Sequence, residues 1–322
     1  MLAQQHAGQA THDAVQAAAQ AGEHAASEGF NAGEVIIEHV ANSPHDHPLI
    51  HLPALFGIDM SVTKHVFMLW LIATAVFVLV TFVVRRYLAS GRMVPTGVMN
   101  AVETVVLFVR DEIVQPNVGR RWVNTWTPLL LTLFVFIVSA NAIGLIPVFE
   151  FLALIDHYVL HTAPDSFLKR VVHGGTTVTA NFNVTAALAT VTFFAIIVAG
   201  SKAHGFVKHW MNLVPHGLAW PIYILLIPIE IMGLFVRPFA LTMRLAANMT
   251  GGHIAILAVL SLVFLFADML GTALPGIGVG LAVSVPLAVG ISALEIIVVL
   301  VQAYVFTLLS AVFIGMAIHV HH

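Results

Sequence analysis

The chain has 322 residues, 59% of them hydrophobic and only 9% charged, with a net charge of −3 and no cysteine. A soluble domain is about a quarter charged, so this composition, with a mean hydropathy of +0.94 and several long apolar runs, belongs to a polytopic integral membrane protein. The charge balance gives no footing for nucleic acid, and the missing thiols exclude disulfides, thiolate metal sites and cysteine nucleophiles.

Residues 1–48 are rich in Ala, Gln, His, Gly and Glu and contain no Lys or Arg. They lack the basic start and apolar core of a cleavable signal peptide and read as a polar arm, with a weak helix over 13–28, ahead of a single polytopic membrane domain over 49–322. His45, His47 and His51 can be read as metal ligands, but no fourth ligand is evident, and a solvated loop before the membrane is the reading preferred. No internal repeat stands out.

The first span covers 66–84, an uncharged run between Lys64 and the pair Arg85-Arg86. Arg85, Arg86, Arg92, Arg110, Arg120 and Arg121 crowd the next stretch, 85–121, which the positive-inside rule places in the cytoplasm, with the N-terminus outside. Within it Val98, Val102, Val105, Val106 and Val109 are spaced for an amphipathic helix lying on the inner surface. A second span, 122–149, ends in Asn141-Ala-Ile-Gly-Leu-Ile-Pro147 and leads to an external loop over 150–179. A third, 180–200, opens on Asn181-Phe-Asn183-Val-Thr185 and returns to Lys202 and Lys208 on the inner side. Asn181, Asn183 and Thr185 either cap a helix and bond its neighbours or line a wet passage.

From 218 to 318 ordinary spans give way to two long apolar stretches. The second, 281–318, is uncharged except for Glu295; as one helix it would be about 57 Å long, against a hydrocarbon core of about 30 Å. Two long, strongly tilted helices are therefore expected, joined by a turn at Gly271-Thr-Ala-Leu-Pro275-Gly-Ile-Gly278.

Charged groups inside a membrane are expensive and usually functional. On a helix Glu230, Arg237 and Arg244 fall at intervals of seven on nearly one stripe, with Asn248 a turn beyond. His253 lies about 13.5 Å past Arg244 on the opposite face, and Glu295 and Gln302 share a face of the last helix. If Gln302 is level with Arg244, Glu295 comes to the depth of His253 and the two become partners. Such a pair is either a proton relay, since histidine titrates near neutrality, or a static ion pair that fixes packing. Arg244 cannot carry a proton, because guanidinium keeps its charge in proteins. Glu230 is about 21 Å away along the helix, too far to pair. No other acid of this chain is an evident partner at that depth, so the missing anion is expected on another subunit, with Arg244 blocking a direct leak and favouring the ionised form of a passing carboxyl.

The stretch Arg237-Pro-Phe-Ala-Leu-Thr-Met-Arg244-Leu-Ala-Ala-Asn248-Met-Thr-Gly-Gly-His253 and the later Leu300-Val-Gln302-Ala-Tyr304-Val-Phe306 resemble subunit a of the F-type ATP synthase, bacterial type. Asn141-Ala-Ile-Gly-Leu-Ile-Pro147 and Asn183-Val-Thr185 are similar too, and the likeness covers roughly 35–320. It implies an all-α membrane fold of one N-terminal transmembrane helix, an amphipathic surface helix, a transmembrane hairpin and two long, near-horizontal helices. It implies that Arg244 is the stator arginine, Asn248 and Gln302 its polar neighbours, Glu230 a carboxylate of the inner half-channel, and His253 with Glu295 an outer pair. Here that pair is exchanged relative to many bacterial members, which carry the carboxylate first. Asn181 stands where many members have Asp, so it brings no titratable group. The implied partners are a c-subunit ring whose carboxylate faces Arg244, peripheral-stalk b subunits, the remaining ATP synthase subunits and the lipid of a bacterial inner membrane. No cofactor is expected, and nucleotide chemistry belongs elsewhere, since no G-x-x-x-x-G-K-[ST] loop is present.

Protons would enter from outside past Asn181, Asn183, His253 and Glu295, neutralise the ring carboxyl near Arg244, and leave by Glu230. Each gains about 2.3 kcal/mol per 100 mV, so one ATP needs several. A self-contained proton-coupled transporter would instead show repeats and paired broken helices. An intramembrane hydrolase would show a G-x-S-x-G turn or an H-E-x-x-H helix. Neither pattern is visible.

Overall fold

The computed structural model of the protein describes residues 61–91, 94–145, 178–211, 220–269 and 273–319. The N-terminal arm with its histidines, and most of the loop expected over 150–179, lie outside these residues. Among the described residues the regular structure is helical throughout, with no strand, and five helices are long and apolar enough to cross a membrane.

Helix α1, Lys64–Ala89, is the first span. After the left-handed Gly97, at φ 64°, the chain enters α2, Val98–Leu107. It continues without a break into a π-helical segment, Phe108–Val114, and the short α3, Gln115–Val118. The valine spacing thus does mark a helix, although its first member, Val98, is exposed. The wide π turn brings the consecutive residues Ile113 and Val114 into the core together with Val109. Helix α4, Val123–Leu145, is the second span and α5, Phe182–His204, the third, preceded by a 3-10 turn at Val178–Ala180. The short α6, Phe206–Met211, follows Gly205. Two long helices complete the chain: α7, Trp220–Met269, and α8, Ala273–Ile318, of 50 and 46 residues.

The expected turn at 271–278 needs correction, because α8 already begins at Ala273. Proline is tolerated in a first helical turn, where its missing N–H has no partner to lose, so Pro275 does not delay the helix. The glycines serve packing instead.

The chain divides into two compact units. In the one holding Leu257–Ala288, a Cβ added at Gly276 would lie 2.6 Å from Ala267 Cα, and one at Gly280 would lie 2.6 Å from Val263 Cα. With Ser284 and Ala288 these glycines form a buried row of small residues at every fourth position. Lipid tails are as apolar as leucine, so membrane helices gain little from burial as such and rely on close backbone approach.

The larger unit is His39–Ile256 with Val289–His322. Its main core joins Val109, Ile113, Leu130, Ile137, Ile196, Leu245, Phe306 and Ile314, from the π-helical segment, α4, α5, α7 and α8. Met68 and Ile72 tie α1 to Ala140, Val178 and Val184. The end of α8 is pinned by polar contacts: His204 Nε2 lies 2.9 Å from Ile318 O, and His319 Nε2 lies 3.1 Å from Val118 O. Nearby, the His209 imidazole of α6 fills the space left by the missing side chain of Gly200. Burial, and then the proximity of His204, hold that imidazole below the usual histidine range.

Candidate functional site

The site is assembled where α7 and α8 run beside α4. On α7, Leu241, Leu245, Ala246 and Met249 turn inward. Helical periodicity then turns Arg244 and Asn248 outward, onto an exposed face shared with Phe239, Met243 and Ala247. On α8, Glu295, Val299, Gln302 and Phe306 form the buried stripe.

Asn248 Nδ2 donates to Gln302 Oε1 at 2.8 Å. This sets the level of the two helices: Gln302 stands beside Asn248, a turn or about 6 Å further along α7 than the level with Arg244 on which the pairing of Glu295 with His253 is conditioned. Gln302 Nε2 and Glu295 Oε2 are buried with no hydrogen-bond partner among the described residues. Asn248, Gln302 and Glu295 line one small cavity with Asn141, Leu145, Leu245, Met249, Val298 and Val299. Its volume of about 10 Å³ is room for about one water, which is stable in a cavity only where polar partners converge.

Glu295 is seated by Gly252. A Cβ at that position would overlap the Glu295 carboxyl, so glycine lets the carboxyl lie directly on the α7 backbone. His253, half-buried, is the next residue, and it does not belong to the cavity lining.

Arg244 is exposed and makes no hydrogen bond or ion pair with any described residue. Arg237, seven residues earlier, lies with its guanidinium 5.7 Å from the centre of the Phe313 ring. A cation over an aromatic face is attracted by the ring quadrupole. Glu230 is half-buried on the same stripe and is not brought to the cavity.

Asn181 is the N-cap of α5, its Oδ1 accepting from Asn183 N–H at 2.9 Å. The Thr185 hydroxyl donates to Phe182 O at 2.9 Å. Of the two readings of this trio, local capping is thus visible for Asn181, while the Asn183 side chain is exposed. Thr250 of α7 donates to Ala180 O at 3.3 Å, tying this turn to the helix that carries Arg244.

Asn141 has no role in the sequence reading beyond its place in a motif, yet it walls the cavity. It is buried, and its Oδ1 accepts from the Thr179 hydroxyl at 2.5 Å, which turns its NH2 group away from that bond. The signal available in the sequence was an amide in an apolar span, which in a membrane needs a polar neighbour.

Residues 66–315 match the family described as ATP synthase A chain. The chain is 40% identical over 304 residues to "ATP synthase subunit a 2" of Chlorobium luteolum, covering 92% of this chain and 78% of that protein. It is 38% identical to "ATP synthase subunit a 2" of Prosthecochloris aestuarii, over 93% of this chain and 83% of the relative. It is also 38% identical to "ATP synthase subunit a" of Anaeromyxobacter dehalogenans, over 96% and 78% respectively. The apolar spans and these matches agree: the chain belongs to the ATP synthase A chain family.

Proposed function

We propose a division of labour among the polar residues for the proton-translocating stator role that this family membership gives the chain. The observation that carries it is the shared cavity of Asn248, Gln302 and Glu295, one turn from Arg244, which is exposed and pairs with no described residue.

Arg244 is the barrier and the docking charge. On an exposed apolar helix face in a membrane, a permanent cation is costly unless an anion meets it. The fitting anion is a carboxylate on a ring of c subunits packed along the exposed faces of α7 and α8. Asn248 and Gln302, tied to each other, hold the polar approach to that point. Glu295, whose carboxyl lies against Gly252, and His253, the residue after that glycine, form the outer relay, with Asn181 and Asn183 nearer its mouth and Asn141 orienting a water on its inner wall. Glu230, outside the cavity, serves the inner exit.

In this reading a proton reaches the ring carboxylate from the cavity and neutralises it. The neutral carboxyl can then move into lipid, which the charged form resists. At the far side it meets the Glu230 path, loses the proton and returns to Arg244 as an anion. Arg244 accepts no proton at any step. The two long helices lie strongly tilted across a bacterial inner membrane, with the N-terminus outside and the C-terminus in the cytoplasm. Peripheral-stalk b subunits hold the assembly against rotation.

The test is Arg244→Ala in the reconstituted complex. Proton-driven ATP synthesis should vanish while nucleotide hydrolysis by the detached head is unchanged. Coupled synthesis at the unaltered rate would remove the stator role from Arg244.

A further inference from the structure

The end of the first span carries a groove of about 450 Å³ that the proton path does not use. Phe77, Val78, Thr81, Phe82, Arg85 and Arg86 line it. Residues four apart stack along one face of a helix, so the lining forms two parallel rows. One runs Phe77, Thr81, Arg85; the other runs Val78, Phe82, Arg86. Each row starts at an apolar residue and ends in a guanidinium, and only Thr81 interrupts the apolar lining between. Phe77 to Arg85 spans about 12 Å, close to one leaflet of a hydrocarbon core about 30 Å thick.

Both arginines are exposed and make no hydrogen bond or ion pair with any described residue. The chain offers them no acid nearby in sequence, since the stretch 60–102 contains no Asp or Glu. Two fixed cations thus stand where the apolar helix reaches the headgroups, above exposed Phe77, Val78 and Phe82.

We propose that this groove binds one anionic phospholipid, with its phosphodiester held between Arg85 and Arg86 and an acyl chain laid along Phe77, Val78 and Phe82. Planar guanidinium groups match phosphate oxygens in paired, charge-assisted hydrogen bonds. The charge pattern selects a lipid rather than a partner helix, because an anion is required at the headgroup level and apolar contact alone below it. A zwitterionic lipid brings its own cation to the same place and gains less.

The test uses the intact complex in vesicles doped with photoactivatable phosphatidylglycerol or phosphatidylcholine of identical diazirine-bearing chains. Cross-links are mapped by mass spectrometry to 77–84. Phosphatidylglycerol should label this segment about thirtyfold more than phosphatidylcholine, as two basic groups at a charged surface imply. The preference should disappear in R85Q/R86Q and persist in part in R85K/R86K. Equal labelling by the two lipids overturns the proposal. So does absence of labelling by either, which means that a protein helix covers the groove, and so does a preference that survives R85Q/R86Q. If the double glutamine variant does not assemble, the ratio measured on the unaltered complex decides.

Discussion

Asn248 and Gln302 are joined by a 2.8 Å hydrogen bond, and eleven residues away along each helix Arg237 lies over Phe313. The two contacts keep one antiparallel register between α7 and α8, and Arg244 sits between them. The amide pair and the cation–aromatic pair therefore act as the two rungs that fix where Arg244 stands against α8. If so, Asn248→Ala and Gln302→Ala should each slow proton flux through the reconstituted complex, and the double variant should be little worse than either. A coupling of at least about 0.5 kcal/mol in that cycle is expected for residues in contact; additive losses would mean that the two amides act separately.

Gly252 gives a sharper handle on the outer relay proposed for Glu295. Gly252→Ala inserts a methyl group where the Glu295 carboxyl lies. Proton flux should fall about tenfold or more, the scale at which a small misplacement of a reacting group is felt. Adding Glu295→Asp withdraws the carboxyl by one methylene and should restore part of the flux. Flux assays in vesicles energised by a potassium gradient compare the unaltered protein with the two variants directly.

Packing in the smaller unit is tested at Gly280. A side chain there meets the backbone at Val263, and backbone cannot swing aside as a flexible side chain would. Gly280→Val should cost about 1–3 kcal/mol, in the range of overpacked cores, and lower the thermal denaturation midpoint of the purified chain. Gly278→Ala, which meets nothing within 4 Å, serves as the control.

The docking of α6 should depend on pH. The His209 pKa is lowered in the folded protein by burial and by His204, so near the ordinary histidine value of about 6.5 the unfolded form binds more protons. Stability then rises with pH in that region. The contribution is complete above the unfolded pKa and is lost as pH falls toward the folded one. Protection factors of the α6 amides, in which the intrinsic pH dependence of exchange is divided out, should be smaller at acidic pH than at neutral pH, and His209→Phe should flatten the difference. Gly200→Ala, which collides with the imidazole, should speed exchange at every pH.

The spans are legible in the sequence because charge marks their ends: Lys64 and Arg85 bracket an uncharged run, and the helix extends only one turn beyond Arg85. The two long helices are legible for a different reason, since an apolar run longer than the membrane is thick has to tilt or fold. Register is another matter. Whether Gln302 meets Arg244 or Asn248 depends on a shift of one turn, and intervals of seven along each helix look alike under that shift. The π turn is equally hidden, because Val105, Val106 and Val109 are spaced as in an α-helix and only the adjacent burial of Ile113 and Val114 reveals the change. Asn141 lacked a partner in the sequence because Thr179 is 38 residues away, beyond a span end and a loop.

The wide turn at Phe108–Val114 also bears on how this chain tolerates a change of length. A π turn takes up one extra residue inside a helix while the α segments on either side keep their phase. Deleting one residue there should relax it to an α turn and leave Val102 and Val118 facing as they do now. The same deletion in the middle of α4 would rotate half of a span by about 100° and pull Asn141 out of line with Thr179.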